Sequence, residues 1–191
     1  MHTGGPGAPR QDAWLTTVHI GDLGLCYLDG VELDELRYPL RVLRRGIEPD
    51  SEGAGRFRGA PAGFCEYGPV DTRMEAWFAS DGTINAPQGV RGGREGGRSA
   101  QFRRDLDGRL TPLEPCGGVV LAPGETLVAR CCGGGGYGDP LERDPALVAA
   151  DLAEGWIGRE RAASVYGVIL AADGGVDSAA TAAQRESLGR G

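Results

Sequence analysis

Alternation of apolar and polar positions predicts a body built mainly of β-strands over the first two thirds of the chain. Residues 14–20 are rich in β-branched and aromatic side chains and end at Gly21-Asp22, a composition that favours a strand closed by a turn. Asp-Gly and Pro-Gly pairs mark further turns between residues 60 and 130. The other predicted strands cover residues 38–47, 64–68, 73–79, 99–104, 119–121 and 126–130.

The pattern becomes helical at both ends of this body. An acidic segment at residues 29–37 is expected to form a short helix that Pro39 stops. Beyond residue 140, Asp144 is a plausible N-cap with Pro145 at the first helical position. The segments expected there are helices at 145–152, 158–166 and 179–190, and a strand at 168–171 with a hairpin turn at 173–175.

These elements predict an α+β fold: a β-rich body with a glycine-rich loop followed by short C-terminal helices. We expect one domain over residues 1–191, since the length suits a single core. Its expected parts are an irregular arm at 1–13, the β-rich body at 14–130, the glycine loop at 131–140 and the helical part at 141–191.

Four consecutive glycines at positions 133–136 stand between the last predicted strand and the first C-terminal helix. Glycine loses more backbone freedom on folding than any other residue, so such a run needs positive φ or a close neighbour. One interpretation is an anion site built from backbone N–H groups. The other is close packing against a second backbone, which we favour because no clean dinucleotide spacing is present. Nearby Glu142, Asp144 and Asp151 are interpreted as a solvated acidic face.

Charge and composition narrow the class of function. The formal net charge of −7 argues against nucleic acid or an anionic membrane as the main partner. No apolar run reaches the length of a membrane span, and the N-terminus lacks a secretory pattern, so a cytoplasmic location is expected. All 20 basic residues are arginine, which excludes lysine-dependent sites such as the Walker A loop.

Three further sets of residues carry candidate chemistry. His19 on a predicted strand, with Asp22 just beyond it, is a candidate base or metal ligand, although a lone strand histidine is more often structural. Three arginines among the glycines of residues 87–98 are a candidate binding site for a carboxylate or phosphate. The alternative is a loop that faces solvent or another subunit. The five cysteines show no disulfide or zinc spacing, and most are expected to be small buried side chains: Cys26, Cys65, Cys116, Cys131 and Cys132.

Several motifs in the same order resemble the hydantoinase B family. Residues 133–145 resemble its C-terminal signature, and Tyr38-Pro39-Leu40 and residues 49–59 resemble its upstream elements. The resemblance runs over roughly residues 4–185. The family includes B subunits of ATP-dependent hydantoinases, 5-oxoprolinases and lactam hydrolases, and the larger subunits of acetone and acetophenone carboxylases are similar to it.

The resemblance implies a subunit of an ATP-dependent amidohydrolase that acts on a cyclic amide. The expected assembly is a hetero-oligomer with an A-type subunit, which binds ATP and Mg and phosphorylates a carbonyl oxygen, and with a B-type subunit that supplies the N-terminal half. That expectation arises because the chain matches only the C-terminal part of longer family members, as in a split subunit. The divalent metal is expected in a partner, so no metal ligand and no cofactor are assigned to this chain alone.

Within that assembly, His19 and Asp22 are the expected catalytic groups, and Gly133, Gly134, Gly135 and Gly136 the expected ligand-binding ones. An acetone- or acetophenone-type carboxylase is the alternative, since Gly21-Asp22-Leu23-Gly24 looks closer to that branch. A non-catalytic scaffold subunit is the second alternative.

Overall fold

The computed structural model describes residues 3–13, 15–16 and 30–189, with only the backbone at residues 3, 15 and 16. It combines antiparallel sheets with short helices, which confirms the α+β class. The strands are β1 (Thr3–Gly4), β2 (Leu15–Thr16), β3 (Leu40–Ile47), β4 (Gly63–Pro69), β5 (Met74–Ala79), β6 (Ala100–Arg104), β7 (Leu110–Pro112), β8 (Cys116–Leu121) and β9 (Thr126–Arg130). The helices are α1 (Val31–Arg37), α2 (Pro145–Ala153), α3 (Arg159–Ser164) and α4 (Ser178–Leu188), with a 3₁₀ turn at Pro140–Glu142.

The main sheet has five antiparallel strands in the order β3-β4-β9-β6-β7. Strand β9 lies at its centre between β4 and β6, and its first four residues are buried. A separate ribbon pairs β5 with β8 in register from Met74↔Leu121 to Ala79↔Cys116. Because β9 leads directly into residues 131–136, the middle of the sheet delivers the glycine run into the interior.

Glu66, on β4, is a buried carboxylate at the junction of three strands. It accepts hydrogen bonds from the Arg44 guanidinium (2.7 Å), Arg104 Nε (2.7 Å) and the Thr126 hydroxyl group (2.8 Å). Burial raises the pKa of Glu66, but these hydrogen bonds outweigh it and bring the pKa to about 2. Glu66 therefore links β3, β6 and β9 as an ionised group.

Replacing Glu66 with glutamine is expected to reduce the acid sensitivity of the fold. The folded-state pKa lies below the ordinary value of 4.5, so the stabilisation is complete above that value and is lost as pH falls towards about 2. The free energy of unfolding, measured in urea at several pH values, should fall over this window and fall less steeply in Glu66→Gln. An exposed control, Glu114→Gln, should keep the wild-type slope; equal slopes in all three proteins would contradict the assignment.

The C-terminal helices begin where the sequence predicts. The Asp144 carboxylate accepts from the Ala146 N–H at 2.9 Å and caps α2, and Gly155 follows that helix with φ 72°. Helices α2 and α3 contribute to an apolar cluster, together with the segments that follow them and the loop that precedes β4. Its fully or nearly fully buried members are Ala54, Val148, Ile157, Ala162, Tyr166 and Val168.

Other local predictions differ from the structure. The strand expected at 168–171 is wrong: Val168 packs into the helical cluster, and only an isolated bridge joins Leu170 to Val176. The short edge strand β7 was not predicted, because its residues are exposed and do not alternate. Of the predicted strand at 14–20, Leu15–Thr16 pairs with β1, and the rest lies outside the described residues.

The four described cysteines are free thiols, and their burial corrects the expectation for most of them. Cys131 is buried, Cys65 and Cys132 are half-buried, and Cys116 is exposed; Cys26 lies outside the described residues. Burial raises the pKa of Cys131 to about 11, so its thiol stays protonated at neutral pH.

Within the part of the chain that the structure describes, no helix has the length and apolar character that crossing a membrane requires.

Candidate functional site

The glycine run lies at the centre of four glycine-rich segments that pack directly against one another. We call this the glycine core; its segments are residues 4–7, 53–59, 89–97 and 133–136. The Gly53 N–H donates to the Gly134 carbonyl oxygen (2.7 Å), and the Gly134 N–H donates to Ala60 (2.9 Å). The Gly7 N–H donates to the Gly135 carbonyl oxygen (2.8 Å), so the run is held from several sides by the chain's own backbone.

Close backbone approach, and not positive φ, explains the four glycines. A Cβ atom on Gly133 would lie 1.9 Å from the Ser51 carbonyl oxygen, and one on Gly134 would lie 1.8 Å from that of Gly5. A Cβ on Gly136 would lie 2.1 Å from the Ala54 carbonyl oxygen. No side chain fits at these distances, whereas none of the four glycines has a positive φ; the first positive φ after the run is at Gly138.

The backbone of the run is thus already engaged with its own chain. The Gly133 N–H donates to Gly97 and the Gly136 N–H donates to Arg94, at 2.9 and 3.0 Å. These contacts agree with the interpretation that the glycine run packs closely against a second stretch of backbone. A ligand-binding role for Gly133, Gly134, Gly135 and Gly136 stays a prediction.

Beside the glycine core, two arginines and two aspartates form a buried ion network. Arg143 is fully buried and donates to both carboxylate oxygens of Asp12 (2.6 and 2.7 Å) and to Asp151 (2.8 Å). Arg58 donates to the other oxygen of Asp151 (3.0 Å) and stacks on Trp156. The network ties the N-terminal arm and the 53–59 loop to α2.

The network shows that Asp151 is buried, and it explains why the pKa of Asp12 is lowered. Asp151 is 4% exposed, so its assignment to a solvated acidic face is wrong. Burial raises the pKa of Asp12, but the hydrogen bonds and charge of Arg143, with a smaller contribution from Arg58, outweigh it and lower the pKa below 3.8. The charges balance each other, so the network has a structural role.

An open cleft of about 520 Å³ borders the glycine core. We call it the arginine cleft; one wall is the backbone of Gly96 and Gly97, which belong to the core. The carboxylate of Asp50, one of the lining residues, accepts from the Gly158 N–H at 2.7 Å. The side chains that line the cleft are Asp50, Glu52, Arg94, Glu95, Arg98 and Arg161.

Glu52 is the most unusual group in this cleft. Its carboxyl group is 1% exposed, and Oε1 accepts from Arg161 Nε (2.6 Å) and from the Tyr166 hydroxyl group (2.8 Å). Its second oxygen, Oε2, has no hydrogen-bond partner among the described residues. Burial raises the pKa of Glu52 despite the opposing charge of Arg161. A buried polar atom without a partner is uncommon in folded proteins, and a water, an ion or a ligand group can satisfy it.

Comparison with known proteins assigns the chain to a family. The family model described as Hydantoinase B/oxoprolinase matches residues 1–140. The chain belongs to the hydantoinase B/oxoprolinase family. The resemblance seen in the sequence motifs is therefore confirmed.

Relatives in the hydantoinase B/oxoprolinase family match most of this chain with part of their own. It is 32% identical over 186 residues to the caprolactamase subunit beta of Pseudomonas jessenii, covering 95% of this chain and 32% of the relative. It is 30% identical over 207 residues to the acetone carboxylase alpha subunit of Xanthobacter autotrophicus, covering 88% of this chain and 26% of the relative. The crystal structure of the ATP-dependent caprolactamase from Pseudomonas jessenii superposes with a TM-score of 0.83 at 28% identity, over 97% of this chain and 33% of that one. The chain spans about a quarter to a third of the length of these proteins.

The residues predicted from sequence and those found in the cleft overlap at Arg94 and Arg98. His19 and Asp22 lie outside the described residues, so their catalytic role stays a prediction. Sequence reasoning missed Glu52, Arg161 and Tyr166, which come together from positions more than 100 residues apart. The one usable signal was the group of arginines at 87–98, of which Arg94 and Arg98 line the cleft.

In residues 3–13 and 30–189, no three His, Cys, Asp or Glu side chains come together as a metal site.

Proposed function

We propose that this chain is the C-terminal, B-type part of a multi-subunit ATP-dependent enzyme that hydrolyses a cyclic amide, of the hydantoinase/oxoprolinase type. The observation that carries the proposal is the 32% identity to a caprolactamase beta subunit over 95% of this chain. The shared fold with an ATP-dependent caprolactamase at a TM-score of 0.83 supports it further.

The composition of this chain is compatible with ATP binding by a partner subunit. It has no lysine, so it lacks the residue that a Walker A loop needs to hold phosphates. ATP and Mg bound to an A-type partner would supply phosphoryl transfer to the amide carbonyl oxygen. This chain would complete the site where the activated carbon is attacked by water, with His19 or Asp22 directing the proton and a divalent metal held by a partner subunit.

Association with partners is supported by an apolar surface beside β3, the outer strand of the main sheet as described. Leu36 on α1 is 82% exposed, and Tyr38 is 56% exposed. Tyr38 and Leu40 line a groove of about 360 Å³ with Met74, and Val70 donates its N–H to Pro39 beside them. Exposed apolar side chains in one continuous region are typical of protein contacts. The N-terminal-half B-type subunit is the proposed occupant.

A carboxylase is the second candidate. The 30% identity to an acetone carboxylase alpha subunit over 88% of this chain favours it, as does Gly21-Asp22-Leu23-Gly24. The two reactions differ in their products: hydrolysis leaves a carboxylate and an amine in one opened molecule, whereas carboxylation fixes bicarbonate carbon onto a ketone.

Co-purification tests the proposed assembly. A tagged form of this chain, co-expressed with an A-type subunit and an N-terminal-half B-type subunit, is expected to retain both through size-exclusion chromatography. The isolated complex is then assayed for ring-opened product and for labelled bicarbonate incorporation. A chain that elutes alone as a stable monomer would contradict the heteromeric enzyme and favour a stand-alone module.

His19→Ala and Asp22→Ala are expected to lower kcat of the assembled complex by about 10²–10⁴-fold if the two groups transfer protons. The control is Asp107→Ala, an exposed position on the turn between β6 and β7, which should leave kcat unchanged. Complex formation is checked by gel filtration for each variant. Activity near wild type in both alanine variants would remove His19 and Asp22 from the mechanism.

A further inference from the structure

The arginine cleft presents cationic groups that the protein itself leaves uncommitted. Arg94 is exposed, and its guanidinium has no partner within the described part of the chain, while its backbone is fixed by hydrogen bonds to Ala54 and Gly136. Arg98 donates one Nη atom to the Ile84 carbonyl oxygen and keeps the other free. A guanidinium on a fixed backbone is well suited to pair with a carboxylate.

The same cleft presents one uncommitted acceptor. Glu52 Oε2 is buried and has no partner among the described residues, while Oε1 is fully used by Arg161 and Tyr166. Arg161 and Tyr166 hold the Glu52 carboxyl group in place, and Glu52 is among the residues that line the cleft. A ligand N–H or ammonium group that reached Oε2 would satisfy it and would favour its ionised form.

We propose that the arginine cleft binds a small amphoteric molecule, an amino carboxylate, whose carboxylate pairs with Arg94 and whose ammonium group donates to Glu52 Oε2. Inorganic phosphate fits less well, because its charge would face the carboxylates of Asp50, Glu52 and Glu95. A simple carboxylate would pair with Arg94 and leave Oε2 unsatisfied. The cleft volume of about 520 Å³ is in the range of small-molecule sites.

This ligand class goes beyond the proposed reaction but is consistent with it. Hydrolysis of a cyclic amide breaks the C–N bond with water and leaves a carboxylate and an amine on one molecule. If the proposed function holds, the cleft is suited to retain or sense that product. The binding itself needs neither ATP nor a partner, so it is tested separately from the enzyme activity.

Isothermal titration calorimetry of the purified chain tests the proposal with three probes: γ-aminobutyrate, butyrate and inorganic phosphate. Saturable binding of γ-aminobutyrate is expected, about tenfold tighter than that of butyrate, because only the former reaches both groups. Equal affinity for the two carboxylates, tighter binding of phosphate, or no saturable heat with any probe would overturn the proposal.

Two variants locate the binding. Arg94→Gln should weaken γ-aminobutyrate by at least about tenfold, while Arg109→Gln, an exposed arginine outside the cleft, should bind as the wild type does. Glu52→Gln should bring γ-aminobutyrate down to the affinity of butyrate. If Glu52→Gln fails to fold, Arg94→Gln alone decides, since its side chain is exposed; unchanged binding in Arg94→Gln would refute the site.

Discussion

Gly134→Ala is expected to prevent the chain from holding its native structure under conditions in which the wild type is folded. An added Cβ would lie 1.8 Å from the Gly5 carbonyl oxygen and 2.4 Å from its carbon atom, both of them backbone atoms. A flexible side chain could rotate away from such a clash, but these atoms cannot. The Gly134 backbone is also fixed by its bonds to Gly53 and Ala60, so it cannot retreat without breaking them.

The expected loss is at least about 4–5 kcal/mol, the top of the range for point substitutions. The matched control is Gly117→Ala on β8, where an added Cβ meets no atom within 4 Å. That variant should change the free energy of unfolding by no more than about 1 kcal/mol, in the stabilising direction, since alanine restricts the unfolded chain. Urea unfolding followed by circular dichroism measures both; similar stability of the two variants would contradict the packing of the glycine core.

Arg143→Met is the second substitution with a large expected effect. It removes a fully buried guanidinium while keeping an unbranched side chain of comparable length, and it leaves Asp12 and Asp151 with fewer compensating donors. Breaking a buried ion pair by removing one partner costs about 3–5 kcal/mol, because the other charge stays buried. The free energy of unfolding in urea should fall by that amount at neutral pH.

Arg56→Met is the control for that substitution. Its pairing with Glu142 is exposed, at 3.8 Å, so the loss should stay below about 1 kcal/mol.

The lowered pKa of Asp12 adds a pH dependence to the Arg143→Met prediction. The stabilisation that ionised Asp12 contributes is complete above pH 3.8 and is lost as the pH falls through the pKa of Asp12 in the folded state. The free energy of unfolding of Arg143→Met should therefore depend less steeply on pH below 3.8 than that of the wild type. An equally steep dependence in the two proteins would argue against the pairing of Arg143 with Asp12.

Helices and strands whose limits depend on neighbouring residues could be predicted from the sequence. Those that depend on residues far away in the sequence could not. Asp144 and Pro145 define the start of α2 within two residues, and alternation over residues 40–47 is enough to identify β3. By contrast, residues 168–171 have strand composition, but their apolar side chains fill the helical cluster. Local propensity yields to tertiary packing there.

The same distinction separates the glycine run from the arginine cleft. Three other glycine-rich segments in the sequence were a usable sign that the run packs on backbone, since each of them supplies a contact. Glu52 gave no such sign, because its partners Arg161 and Tyr166 are 109 and 114 residues away. Asp151 looked solvated for a related reason: only the fold brings Arg58 to it across 93 residues.

The most direct test of the central claim is an omission experiment on the assembled enzyme. Cyclic-amide-dependent ADP release and ring-opened product are measured with the A-type subunit and the N-terminal-half B-type subunit, with and without this chain. The account predicts that both signals appear only when this chain is present and rise in proportion to each other. Turnover at the same rate without this chain would contradict its role as a part of the enzyme.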